Sequence, residues 1–359
     1  MLKKTIRRLG ALAMVLAMAV SVFAVNASAT TGVGTNSLTI KKTVTADGNT
    51  YAPATTFTFS IATAGKGEYD DNVVYAGVDG GAYFANGANQ ITFSAADGII
   101  DGTTGLTRTT AISTNASVFT NYGPGIYHYT VSETRGDYEG IAYDTTVRDL
   151  YVYVTNGDSG LVVSNVVLTK DTTKKIEAVV EKTKTDEWVN DYGKNNDTIH
   201  NVKVTKLVTG NQGNKDKLFT FDVSVIGAEN EMYKVVYNVT GEEGKEETTS
   251  VTSKGAAKEI AIKHNGYIQI YGLSASDTYT VKEVEANTDG YVTTINGAAT
   301  GNGETSGNAA TADVSIEYKN EKNIATPGGV IMTIAPYALM VVLAGAFAVV
   351  FLTRRNRAE

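Results

Sequence analysis

The chain has 359 residues, 31 basic and 38 acidic side chains, four prolines and no cysteine. The acidic balance argues against nucleic acid as a partner. Three scattered histidines, His128, His200 and His264, offer neither a zinc-ligand set nor a His-dependent nucleophile, so no metal and no cofactor are expected.

Residues 1–29 have the layout of a signal peptide. Lys3, Lys4, Arg7 and Arg8 precede an apolar run from Ala11 to Val25, which is short for a membrane span and is followed by the small-residue site Ala27-Ser28-Ala29. Export is therefore expected, with the mature chain beginning near Thr30. Gly32-Val33-Gly34 follows no strand and reads as a flexible start rather than a phosphate loop. Outside the cell disulfides would be permitted, so a chain without Cys must be toughened by other means.

From there to residue 323 short alternating segments rich in Val, Thr, Tyr and Ile are separated by Gly, Asn and Asp clusters. This is the pattern of an all-β chain. Strands are expected over Leu38–Val44, Phe57–Ile61, Ile126–Glu133, Leu150–Val154, Phe219–Val225 and Tyr279–Glu285. Four blocks recur in the same order. Leu38-Thr39-Ile40-Lys41-Lys42 returns as Val202-Lys203-Val204-Thr205-Lys206, and Phe57-Thr58-Phe59 as Phe219-Thr220-Phe221. Tyr129-Thr130-Val131-Ser132-Glu133 returns as Tyr279-Thr280-Val281-Lys282-Glu283, and Trp188-Val189-Asn190 as Tyr318-Lys319-Asn320. The repeat predicts two β-sandwich domains, 31–194 and 198–323, joined by the polar stretch Gly193–Thr198. The Gly-rich stretches in the 240s and 300s read as exposed hairpin or loop insertions.

Strand side chains alternate between faces, so residues two apart share one. Lys42 lies in phase with Leu38, Ile40 and Val44, and Lys206 with Val202, Val204 and Val208. Glu133 follows Tyr127, Tyr129 and Val131, and Glu283 follows Tyr279 and Val281. Asn190 sits between Trp188 and Tyr192, and Asn320 follows Val314, Ile316 and Tyr318. All six polar residues thus fall on inward-facing positions, where a Lys and a Glu cost several kcal/mol unless paired or neutral.

The plain reading is a buried ion pair with an Asn satisfying stray hydrogen bonds. The sharper reading is a spontaneous amide bond between Lys and Asn in each domain. Desolvation lowers the Lys pKa and frees a neutral amine to attack. The same desolvation raises the Glu pKa, so that its carboxyl can protonate the carboxamide and pass protons to departing ammonia.

At the far end, 331–352 is apolar and long enough to cross a bilayer, and Arg354, Arg355 and Arg357 follow it. Thr326-Pro327-Gly328-Gly329 stands just before. Together 326–359 read as a cell-wall sorting signal with a transmembrane helix and a basic tail. Removing both ends leaves 24 basic and 37 acidic residues, a net charge of −13.

The repeated blocks, together with Gly329-Val330-Ile331-Met332-Thr333-Ile334-Ala335-Pro336-Tyr337, resemble the backbone pilins of Gram-positive bacteria, of the streptococcal FctA type. The resemblance covers nearly the whole chain. It implies tandem Ig-like, CnaB-like sandwiches, with Lys42 bonded to Asn190 and Lys206 to Asn320. Glu133 and Glu283 would promote the respective bonds. Lys41 is set aside because it faces the other way, and Asn195 and Asn196 compete with Asn190. The resemblance further implies a sortase as partner, other copies of the chain in a polymer, tip and base pilins, and indirect attachment to peptidoglycan. Lys182 and Lys184 are the candidates for the intermolecular link. In the family a Thr normally precedes the Gly at the cut, whereas here Gly328 stands there, and cleavage between Gly328 and Gly329 is expected from the downstream block. The expected job is the structural shaft of a pilus at the cell wall, not an enzyme. The competing expectation is a lone wall-anchored adhesin or stalk.

Overall fold

A computed structural model describes residues 37–69, 72–176, 179–195, 197–324 and 340–348. The signal-peptide stretch, Asn196 and the Thr326–Gly329 motif lie outside the described residues. Of the span expected over 331–352, residues 340–348 are helical and the rest lies outside them. No helix among the described residues is long and apolar enough to cross a membrane.

The rest of the described chain is overwhelmingly β, in four sheets. All six expected segments are strands, their bounds extended or trimmed by one to three residues; the last ends at Glu283, and Val284 beyond it is exposed. Alternation explains the strands directly: along Gly125–Thr134, Tyr127, Tyr129, Val131 and Glu133 are buried while the residues between them are not. Turn chemistry closes the hairpins. Asn296 and Gly297 both adopt positive φ between Val292–Ile295 and Ala298–Ala299, the two-residue turn whose twist matches that of paired strands. The stretch in the 240s turns a hairpin between Met232–Asn238 and Glu246–Thr252. The stretch in the 300s departs from a plain loop, because Glu304–Asn308 pairs with Thr278–Glu283 as an edge strand.

Two hydrophobic cores form. The first runs from Ile40 to Tyr192, the second from Val202 to Tyr318. Around the first, a five-stranded sheet places Ser37–Thr45 between Leu106–Thr114 and Glu187–Tyr192. An eight-stranded sheet carries Gly125–Thr134 between Thr55–Thr63 and Arg148–Gly157. Around the second, a seven-stranded sheet places His200–Thr209 between Tyr267–Leu273 and Val314–Glu321, and a four-stranded sheet carries Thr278–Glu283 beside Phe219–Ile226. In each unit the first and last strands are adjacent and parallel, an arrangement no hairpin can make, because such strands are joined through all the chain between them.

The units meet through polar contacts. Tyr138 of the first donates a hydrogen bond to Glu231 of the second. Glu139 accepts from the Ser276 N–H at 3.1 Å and from its hydroxyl. Lys234 Nζ donates to Asn49 Oδ1 at 2.7 Å. Glu231 and Asp277 are buried at this junction with Tyr192 and Tyr233. Gly227 is required there, since a Cβ would lie 2.4 Å from both Asp277 Oδ1 and Glu231 Oε2. Burial, and then the charge of Glu231, push the Asp277 carboxyl up to about 6.

Candidate functional site

Each core contains one Lys, Glu and Asn in contact. Lys42 and Asn190 come from the adjacent parallel strands Ser37–Thr45 and Glu187–Tyr192, in a register that sets Lys42 opposite Trp188 and Val44 opposite Asn190. The other unit repeats the offset, with Lys206 opposite Tyr318 and Val208 opposite Asn320. Lys and Asn are therefore same-face neighbours, one pleat apart on adjoining strands. The Glu reaches across from the opposite sheet.

All six side chains are sealed from solvent: Lys42, Asn190, Glu283 and Asn320 fully, Lys206 and Glu133 almost so. In the first unit Lys42 Nζ lies 2.8 Å from Glu133 Oε2, in ion-pair contact but without hydrogen-bond alignment. The other Glu133 oxygen accepts from Asn190 Nδ2 at 2.6 Å. In the second unit Lys206 Nζ donates to Glu283 Oε2 at 2.7 Å, and Asn320 Nδ2 donates to Glu283 Oε1. One carboxyl thus touches amine and carboxamide at once in both units, the placement a proton shuttle between them requires.

The surroundings are aromatic. Lys42 Nζ is 4.7 Å from the Phe57 ring centre, and Phe59 packs edge-on against Trp188. Lys206 Nζ is 4.2 Å from the Phe219 ring centre, and Phe221 packs edge-on against Tyr318. The repeated Phe-x-Phe block supplies these walls. Burial, outweighing attraction to the paired carboxylate, lowers both Lys42 and Lys206 to about 8. Burial also raises the Glu133 carboxyl. Each direction favours the neutral amine and the neutral acid, the forms in which a Lys can attack an amide and a carboxyl can donate.

The competing residues lie elsewhere. Lys41 is part-exposed and pairs with Asp186 at 3.0 Å. Asn195 is exposed. The strand Val179–Lys184, which carries Lys182 and Lys184, forms an edge of the eight-stranded sheet, with Lys184 exposed. Among the described residues no cluster of His, Asp and Glu could hold a metal ion.

Two groups beside the first cluster escape the repeat. Arg148 is buried, its guanidinium 3.7 Å from the Trp188 ring centre, and it donates to Asp144 Oδ2 at 2.8 Å and to the Glu187 carbonyl at 2.6 Å. The Asp144 N–H donates to Asn190 Oδ1 at 2.7 Å. A signal for Arg148 exists in the sequence: it lies in phase with Leu150, Val152 and Val154, on the apolar face of its strand. Asp144, in a loop, has no such periodicity to betray it.

Residues 38–193 match the FctA family, described as a Spy0128-like isopeptide containing domain, and residues 200–322 match a domain of unknown function, DUF7601. A pilin of Streptococcus pyogenes serotype M1 is 25% identical over 246 residues, covering 65% of this chain and 68% of that one. The crystal structure of the major pilin from Streptococcus pyogenes is similar with a TM-score of 0.55 at 20% identity, over 82% of this chain and 100% of that one. The major pilin T3.2 of the same species gives 0.54 at 23% identity, over 80% and 99%. These likenesses extend the fold through both units.

Proposed function

We propose, for a chain that belongs with the FctA-type pilins through its N-terminal unit, that it is the repeating shaft subunit of a covalently polymerised pilus, stiffened in each unit by a self-made Lys to Asn amide bond. As a pilin it is a structural, non-catalytic protein, secreted and displayed at the cell wall. The single observation that carries the finer reading is the duplicated Lys, Glu and Asn cluster, buried in both cores in one parallel-strand register.

In the reaction the neutral Lys amine attacks the Asn carboxamide carbon and a C–N bond forms. The Glu carboxyl donates to the carboxamide, takes up the surplus amine proton and passes protons to the Asn nitrogen, which departs as ammonia. The balance is one amine and one primary amide giving one secondary amide and ammonia, with the Glu restored. Lys42 joins Asn190 with Glu133, and Lys206 joins Asn320 with Glu283. A bond between first and last strands lets tension enter and leave a unit without stretching the chain between them. It does so without sulfur and survives reducing conditions.

Polymerisation requires a sortase, which we assign to the Thr326–Gly329 motif with cleavage after Gly328, and an acceptor amine, assigned to Lys182 or Lys184. Tandem CnaB-like domains over 31–194 and 198–323, a membrane helix over 331–352 before sorting, and tip and base pilins complete the reading. Intact mass of the mature region tests the internal bonds: a deficit of two ammonia molecules is expected, and a full sequence mass refutes them. A boiled-SDS immunoblot of the wall fraction tests the shaft. A covalent ladder is expected, abolished by Lys182→Arg with Lys184→Arg, while a single band in the unaltered protein would instead mean a lone anchored stalk.

A further inference from the structure

The two clusters match in their Lys, Glu and Asn but not at the Asn carbonyl, where the oxygen of a tetrahedral intermediate would gather charge. Asn190 Oδ1 accepts a 2.7 Å hydrogen bond from the Asp144 N–H, whereas Asn320 Oδ1 is buried and has no hydrogen-bond partner among the described residues. Strand pairing explains the difference. Beside Glu187–Tyr192 the neighbouring strand is only Ile141–Ala142, paired to Tyr192 and Asp191, and it ends before reaching Asn190. The pairing stops at Ala142, and two residues on the Asp144 N–H donates to the side-chain carbonyl. Beside Val314–Glu321 the corresponding neighbour Val292–Ile295 continues straight past, pairing Thr293 with Asn320 and Thr294 with Lys319, so its backbone runs along the ladder instead of turning to the side chain.

The donor in the first unit is held in place. The Asp144 carboxylate accepts from the Thr146 N–H at 3.0 Å and from Arg148, which is itself clamped between the Trp188 ring and the Glu187 carbonyl. Arg148 thus ties the donor-bearing turn to the strand that carries Asn190.

We propose that the Asp144 N–H is an oxyanion donor for the Lys42 to Asn190 reaction, that Arg148 is its positioning residue, and that the second unit lacks this device, so the two bonds form at different rates. The inference rests on the bond-forming reading above. When Lys42 Nζ adds to the Asn190 carbon, the carbonyl electron pair moves onto Oδ1, and a preorganised donor stabilises it there. Its collapse expels ammonia and regenerates the carbonyl, still bonded to Asp144. In the second unit no hydrogen-bond donor among the described residues meets the charge on Asn320 Oδ1, since Glu283 contacts the Asn320 nitrogen instead. Removal of one oxyanion donor typically slows a reaction by about a hundredfold or more, which sets the expected ratio.

The test uses the mature chain recovered in urea before reaction and diluted into folding buffer. Samples are quenched over time, and the two branched peptides, 42 to 190 and 206 to 320, are quantified by mass spectrometry. The fluorescence of Trp188, the only tryptophan, reports folding of the first unit beside the reacting groups. In the unaltered chain the first link is expected to form about a hundredfold faster than the second. Replacing the Asp144 amide by an ester, with the α-hydroxy analogue of Asp, removes only the N–H and should bring the first link down to about the rate of the second. Arg148→Met should slow the first link and Arg148→Lys restore part of the rate, with the second link unaffected. Equal rates in the unaltered chain, or an ester variant that folds and reacts as fast, overturn the proposal. If the ester variant fails to recover native fluorescence, the rate ratio of the unaltered chain decides. Should neither link form in the unaltered chain, the bond-forming reading itself falls.

Discussion

Glu133→Gln removes one ionisable proton while leaving an oxygen to accept from Asn190 Nδ2. Without the proton shuttle Lys42 should stay unlinked, and the mature chain should be heavier than the unaltered one by one ammonia, less the amide-for-acid change. The lost bond would have closed the 148 positions separating residue 42 from residue 190. The chain-entropy relation used for disulfides puts such a closure at about 5 kcal/mol at 25 °C. For a unit of this size each kcal/mol moves the midpoint by about 2–4 °C, so the first unit should melt about 10–20 °C lower. Calorimetry, with Trp188 fluorescence to identify the transition, reads the shift. The second unit, with its own core, should keep its transition to first order. The reasoning is refuted if the variant still lacks both ammonia molecules, or if it lacks only one and the first transition has not moved.

The mirror variant, Glu283→Gln, should retain the other ammonia and lower the second transition, the closure from residue 206 to residue 320 again being about 5 kcal/mol. At the junction, the pH dependence follows from Asp277, whose carboxyl rises from its ordinary 3.8 to about 6 on folding. The folded state therefore binds this proton more tightly than the unfolded one. Its stabilising contribution is complete below about 3.8 and is lost as pH rises through about 6, a change on the order of 3 kcal/mol. The second transition should lie higher at pH 5 than at pH 7.5, and Asp277→Asn should flatten that difference; an unchanged pH profile in the variant would refute the assignment. Tyr138→Phe together with Glu139→Ala removes the contacts that fasten the first unit to Glu231 and Ser276. Small-angle scattering should then show a wider spread of inter-unit distances with both melting transitions retained, whereas an unchanged scattering curve would show that other contacts hold the joint.

Much of this protein is written in local pattern. Alternation places strands because side chains in extended backbone have a period of two, and the same period put Lys42, Glu133 and Asn190 on an apolar face before any partner was known. Duplication of the blocks tied those three residues together, since one inward Lys is an accident and two in matching company are not. Arg148 obeyed the same alternation and was legible in principle, but it has no counterpart in the second copy and so raised no signal.

What one strand carries cannot say which strand lies beside it. Only the tertiary structure decided that first and last strands are parallel neighbours, which brings Lys and Asn together from opposite ends of each unit. It also decided that the Glu arrives from the facing sheet. The Asp144 donor depends on a neighbouring strand stopping before it reaches Asn190, a matter of pairing length rather than residue type. The junction at Glu231 and Asp277 depends likewise on how two cores meet. Inward-facing chemistry is a local property of extended chain and survives in sequence; partnership across sheets and between units is set by long-range register, which packing alone determines.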